Sequence, residues 1–182
     1  MGNPVDLVGA NVNAVYAGTT TDGESAPFPL GTRVKGTDGV QYMMVQAGAA
    51  ISTTTSEPYA LGIDENGQAA KLTTALATAK HKFGIAPRLV ISDNDFFWAR
   101  VDGPNVPLRV AASTTADVSL RTTTTAGRMS AASTASAVTV QGCCIVLVAS
   151  ASTSAGNSIR NALMSNPHFS AKGALITAAA TF

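Results

Sequence analysis

Turn signals set at short intervals constrain this chain more than any other feature. Asp38-Gly39 separates LGTRVKG from VQYMMVQAG, and Asn66-Gly67 separates YALGI from QAAKL. Such dipeptides between short apolar runs mark hairpins, because their backbones readily take the positive φ that tight β-turns demand. Gly103-Pro104-Asn105 divides FFWARVD from VPLRVAA, and a TTTTAG turn divides DVSLRT from RMSAA. The runs between turns are too short for helices and long enough for strands. In VQYMMVQ, Val40, Tyr42 and Met44 take one face and Gln41, Met43 and Val45 the other, so the second face is partly covered too.

The expectation is an all-β fold: a small β-barrel or sandwich of short antiparallel hairpins. Phe96–Val101 is expected to pair with Val106–Ala111 across the Gly-Pro turn. Ala75 to Lys82 reads as one helical turn or a loop. KFGIAPRLVI reads as a strand with Pro87 at an edge or bulge. VTVQGCCIVLVA is the most apolar run and is expected to be central and covered on both faces. Ser154 to Met164 is the one helix expected, stopped by Asn166-Pro167. GALITAAATF reads as a last strand. The apolar-Gly-apolar theme shared by ALGIDENG, KFGIAPRL and VQGCCIVL is irregularly spaced and reads as strands of one sheet system, with no solenoid repeat.

Residues 1–29 differ from the rest. They hold several Gly and Asn, the tract TTTDGES, and Pro27 and Pro29. The division expected is an extended arm over 1–29 and a single β domain over 30–182. An arm of this composition becomes ordered only against the body of the fold or a neighbouring molecule. Its candidate contact residues are Pro4, Val5, Leu7, Val8, Val12, Val15 and Tyr16. It lacks the basic start and continuous apolar stretch of a signal peptide. The longest apolar run is too short to cross a bilayer as a helix.

The inventory for chemistry is thin. The only histidines are His81 and His168, neither in a catalytic motif, and no G-x-S-x-G elbow exists. Cys143 and Cys144 are adjacent; on a strand they point to opposite faces, which suits small buried side chains better than a bridge. No His/Cys ligand spacing is present. Gly31 to Thr37 lacks the Lys that a phosphate loop needs after its second Gly. Asp64-Glu65-Asn66-Gly67 and Asp93-Asn94-Asp95 offer oxygens to calcium, yet these are also the residues of tight turns. Charged residues are 13% and net charge is +1, so the chain has no strong field for nucleic acid or an anionic membrane. No enzyme activity, cofactor or metal is expected.

Aromatics make up 5% of the chain, yet Phe96, Phe97 and Trp98 are consecutive and Arg100 follows. On a strand, Phe96 and Trp98 share a face and Phe97 takes the other. Either both faces are core, or Phe97 or Trp98 anchors a subunit contact.

GIAPRLVISDNDFFWARVDGPNVPLRVAASTTADVSLRTTTTAGRM resembles a segment of the head decoration, or cement, proteins of tailed bacteriophages. LGTRVKGTDGVQYMMVQAGAAIS and YALGIDENGQAAKL are similar to the opening hairpins of that family. The resemblance runs from Leu30 to Met129, with the strand around Gln141-Gly142. It implies a structural protein of the virion, made in the bacterial host cytoplasm, that binds the capsid exterior. Its partner would be the major capsid protein, and it would act as a homotrimer that bridges capsomers, with no nucleic acid or membrane bound. The alternatives are another virion part, such as a tail or head-fibre base, and a glycan-binding β adhesin.

Overall fold

A computed structural model describes residues 10–18, 26–53, 57–79, 82–111, 114, 119–131, 137–145 and 158–170. In chain order the elements are β1 (Val15–Tyr16), β2 (Arg33–Lys35), β3 (Gln41–Ala47), β4 (Ala60–Ile63), β5 (Gln68–Lys71), α1 (Thr74–Thr78), β6 (Lys82–Ile85), β7 (Phe96–Val110), β8 (Ser119–Thr122), β9 (Met129–Ser130), β10 (Thr139–Ile145) and β11 (Ser158–Phe169). The fold is mostly β, with a closed five-strand mixed barrel and further strands outside it. The hairpins expected at Asp38-Gly39, Asn66-Gly67 and TTTTAG form as β2–β3, β4–β5 and β8–β9. The short helical turn is α1, capped by the Thr73 hydroxyl, which accepts from the Leu76 amide.

The closed barrel, ring 1, runs β7–β6–β4–β5–β3 and back to β7; β3 and β5 are parallel and the other pairs antiparallel. A second circuit, ring 2, runs β11–β10–β8–β9–β7 and closes through β11 on β7, with β7 and β9 parallel. The two rings share β7 and have one topology. β3, β4, β5, β6 and the first half of β7 correspond in order to the second half of β7, β8, β9, β10 and β11.

The correspondence holds to the residue. A shift of 63 positions carries the pair Met44–Trp98 onto Pro107–Asn161. A shift of 59 carries Ala60–Ile85 onto Ser119–Cys144. Shifts of 63 and 60 carry the parallel pair Ala47–Ala69 onto Val110–Met129. The same three shifts carry Ile63–Ala69 onto Thr122–Met129 and Ile85–Arg100 onto Cys144–Leu163. One hydrogen bond repeats as well: Gly48 N to Ala69 O at 2.9 Å and Ala111 N to Met129 O at 2.8 Å.

Core positions follow the register. Met43, Val45, Ala47, Leu61, Ile63, Ala69, Ala99 and Val101 cluster within ring 1. Their counterparts Val106, Leu108, Val110, Leu120, Thr122, Met129, Ala162 and Met164 are all buried too. The second apolar cluster fills ring 2 and continues across Trp98, Met44, Phe83 and Ile85 on the outside of ring 1. This continuity follows from strand alternation, since the even-numbered face of β7 is outward in ring 1 and inward in ring 2.

Three expectations are corrected. Phe96–Val101 does not fold back on Val106–Ala111. Residues 96–102 pair with β3 and residues 103–110 pair with β11, so β7 bends and continues. Gly103 makes the bend at φ 127°, and a Cβ there would lie 2.7 Å from Val40 Cα, so only glycine lets the strands approach. The helix expected over Ser154–Met164 is replaced, from Ser158 on, by β11. Arg160, Ala162 and Met164 turn inward while Ile159, Asn161 and Leu163 are exposed. That is a two-residue period, and a ladder on both flanks outweighs a marginal helix. Asn166, at φ 47°, bends this strand instead of stopping a helix. Finally, β10 is central but not covered on both faces, because Gln141 is exposed. The expected strand GALITAAATF lies outside the described residues.

Candidate interaction surface

The aromatic run opens β7, and its alternation decides where each ring goes. Phe97 points into ring 1 and is 0% exposed. Trp98 points outward and is also 0% exposed, because the Phe28 ring lies on it at 5.4 Å between centroids, tilted 58°. Phe96 and Arg100 are half-buried on the same face. Phe97 and Trp98 therefore bury large apolar areas within the chain and present no surface to a partner. Trp98 Nε1 is buried without a hydrogen-bond partner among the described residues.

The N-terminal segment supplies the cover. Val12 is buried, and Val15 and Tyr16 form β1, pairing antiparallel with Phe97 and Phe96. This adds a strand to β7 beyond the point where β6 pairs at Arg100. Residues 10–18 are thus ordered by the body of the fold. Pro4, Val5, Leu7 and Val8 lie outside the described residues.

Beside the aromatic strand, the Tyr42 hydroxyl donates to Asp38 Oδ2 at 2.6 Å. Burial first, and then this bond to a carboxylate, push the phenol up to about 12. Asp38 Oδ1 also accepts from Val40 N at 3.0 Å, which closes the β2–β3 turn.

A second polar group ties the rings together. Tyr59 donates its hydroxyl to Glu57 Oε2 at 2.6 Å, and Arg109 Nη1 meets the same oxygen at 3.2 Å. Lys71 Nζ lies 4.4 Å from the centre of the Tyr59 ring and Arg109 Cζ lies 5.1 Å from it. The bond to Glu57 raises the Tyr59 phenol above its ordinary value, with burial adding to it. Gly127 leaves room for this ring; a Cβ there would stand 2.7 Å from Tyr59 Cδ1. Arg109 belongs to the ring 2 half of β7 and Lys71 to ring 1, so the cluster spans the junction.

The acidic turns spend their oxygens on backbone. Asp64 Oδ1 accepts from Asn66 N and Gln68 N, and Asp95 accepts from Gly18 N and Ser92 N. Among the described residues no group of three or more His, Cys, Asp or Glu side chains is placed to hold a metal. Cys143 is buried in the second core cluster.

Sequence reasoning missed the apolar surface on β11. Ile159 is 37% exposed and Leu163 40%, on one outward face. The sequence carries no period-two signal here: apolar Ile159, Ala162 and Leu163 fall at helical spacing, and Asn166-Pro167 reads as a helix stop. Comparison with known proteins is silent: no family model, no curated protein and no solved structure matches this chain.

Proposed function

We propose that this chain is a capsid decoration protein of a tailed bacteriophage, which binds the outer surface of the mature head and bridges capsomers. The reading rests on the resemblance of residues 30–129 to that family. The observation that carries it further is β1. The N-terminal segment already binds by strand addition, laying Val15 and Tyr16 along Phe97 and Phe96. Residues preceding it, with Pro4, Val5, Leu7 and Val8, would add to an exposed edge on the shell by the same backbone chemistry. A homotrimer would multiply several such weak contacts.

The test is a truncation that begins at Ala10, which keeps Val12, β1 and Phe28 in place. It should fold like the full chain and fail to co-sediment with mature heads assembled without this protein. Undiminished co-sedimentation would remove the arm from the mechanism, and failure of the full chain to bind such heads would remove the reading itself. A glycan platform needs an exposed aromatic face, and Trp98 has none.

A further inference from the structure

A cleft of about 630 Å³ opens where the far end of β11 passes ring 1. Its floor is apolar. Met43, Phe83 and Val101 line it from ring 1, and Phe169 lines it from β11. The Phe83 and Phe169 rings meet edge to face, 6.2 Å apart at 83°. Its rim is cationic: Arg33 and Lys82 both line the cleft and are exposed. Arg33 is held by a bond from Nη1 to Gln41 Oε1 at 3.2 Å, which leaves other guanidinium donors for a ligand.

The one carboxylate among the described lining residues, Asp102, is engaged in building the cleft. Its Oδ1 accepts from Gly103 N at 2.9 Å and from Asn166 N at 3.3 Å. These residues are counterparts under the 63-position shift, and both have positive φ. One side chain thus fastens the bend of β7 to the bend of β11, and the cleft between them is preformed.

We propose that this cleft binds a small organic acid, a carboxylate on an apolar body. Its volume lies in the range of small-molecule sites, which pair an apolar lining with a few polar groups that orient the ligand. The floor would take the apolar body, and the Arg33 fork and the Lys82 ammonium would take the acid. Such binding is separate from attachment to a shell and is read by a different measurement.

The probe is hexanoate, titrated into the full-length protein while amide chemical shifts are followed, with hexanamide and inorganic phosphate as controls. Saturable shifts are expected at Lys82, His168 and Phe169. Binding of the neutral amide, or of hexanoate to Arg33→Gln and Lys82→Gln, should be weaker by about tenfold or more, near 1.4 kcal/mol. Both substitutions are at exposed positions, and unchanged shifts elsewhere will show that each variant is folded. Equal binding of acid and amide, phosphate binding as tightly as hexanoate, or no saturable response would each overturn the proposal. So would binding of an acidic peptide where hexanoate fails, which would make the cleft a protein contact.

Discussion

Ring 1 and ring 2 share topology, register and the placement of their inward residues, yet they treat their outer faces in opposite ways. In ring 1 the outward positions of the last strand are Phe96, Trp98 and Arg100. Phe28, Tyr16 and Val12 pack over this side of the ring. In ring 2 the counterparts are Ile159, Asn161 and Leu163, all exposed. The inward Phe97 of ring 1 becomes Arg160. The comparison separates two demands on a closed sheet. Pairing and interior packing set the skeleton, because a closed ladder has no free edge and its inward face must be filled. The outward face is free to vary, and here only that of ring 1 carries a second layer of core.

The largest effect should mark that difference. Trp98→Ala empties a fully buried aromatic site and should cost about 3–5 kcal/mol. Asn161→Ala, at the counterpart position, faces solvent and should stay within about 0.5 kcal/mol. Urea denaturation of the two variants, followed by circular dichroism, gives both numbers. A comparable loss at Asn161 would mean that the outer face of ring 2 is covered after all, and the contrast between the rings would fail.

A second pair probes the interiors. Ile63 in ring 1 corresponds to Thr122 in ring 2, and both are buried. Thr122 Oγ1 accepts from the buried Val138 amide at 2.9 Å and lies 3.0 Å from Thr74 Oγ1. Thr122→Val keeps the shape and strands that amide, so about 1–3 kcal/mol should be lost. Thr122→Ser should recover part of it. Ile63→Val removes one methylene and should cost about 0.5–1.5 kcal/mol. If Thr122→Val proves neutral, ring 2 has an interior as tolerant as that of ring 1, and its hydroxyl is not structural.

The legible parts of this fold are those where local chemistry and tertiary pairing agree. Asp38-Gly39 and Asn66-Gly67 specify hairpins because their own backbones take the turn, at φ 79° for Gly39 and 82° for Gly67. The Gly103-Pro104 signal was misleading because it reports a bend and not the angle of the bend. Whether the chain reverses there depends on β3 and β11, which lie far away in sequence. The same holds for Asn166-Pro167, which terminates a helix or bends a strand equally well. The correspondence between the rings leaves almost no trace in residue identity, since ring interiors ask for volume and apolarity, not for particular side chains. The aromatic run was open to two readings, core or contact, because alternation says which rings share a face but not what covers it. Phe28, across the chain in a segment with weak periodicity, decides that for Trp98.

A pH dependence compares the outer wall of ring 1 with the junction. Tyr42 has its phenol raised to about 12 by burial and by Asp38. The unfolded chain releases this proton near pH 10, so between those values the folded state holds more protons than the unfolded one. Stability from this group is therefore whole below about pH 10 and is lost as pH climbs toward 12. The loss should be roughly 1–2 kcal/mol, because solvent screens part of the interaction at this phenol. Tyr59 is displaced in the same direction, mainly through Glu57, whose carboxylate is also paired with Arg109. Tyr42→Phe should flatten the alkaline limb of a stability–pH curve more than Tyr59→Phe does. The reverse order would place the main alkaline weakness at the junction of the rings, and it would make the Glu57–Tyr59–Arg109 cluster, not the covered wall of ring 1, the first part to loosen.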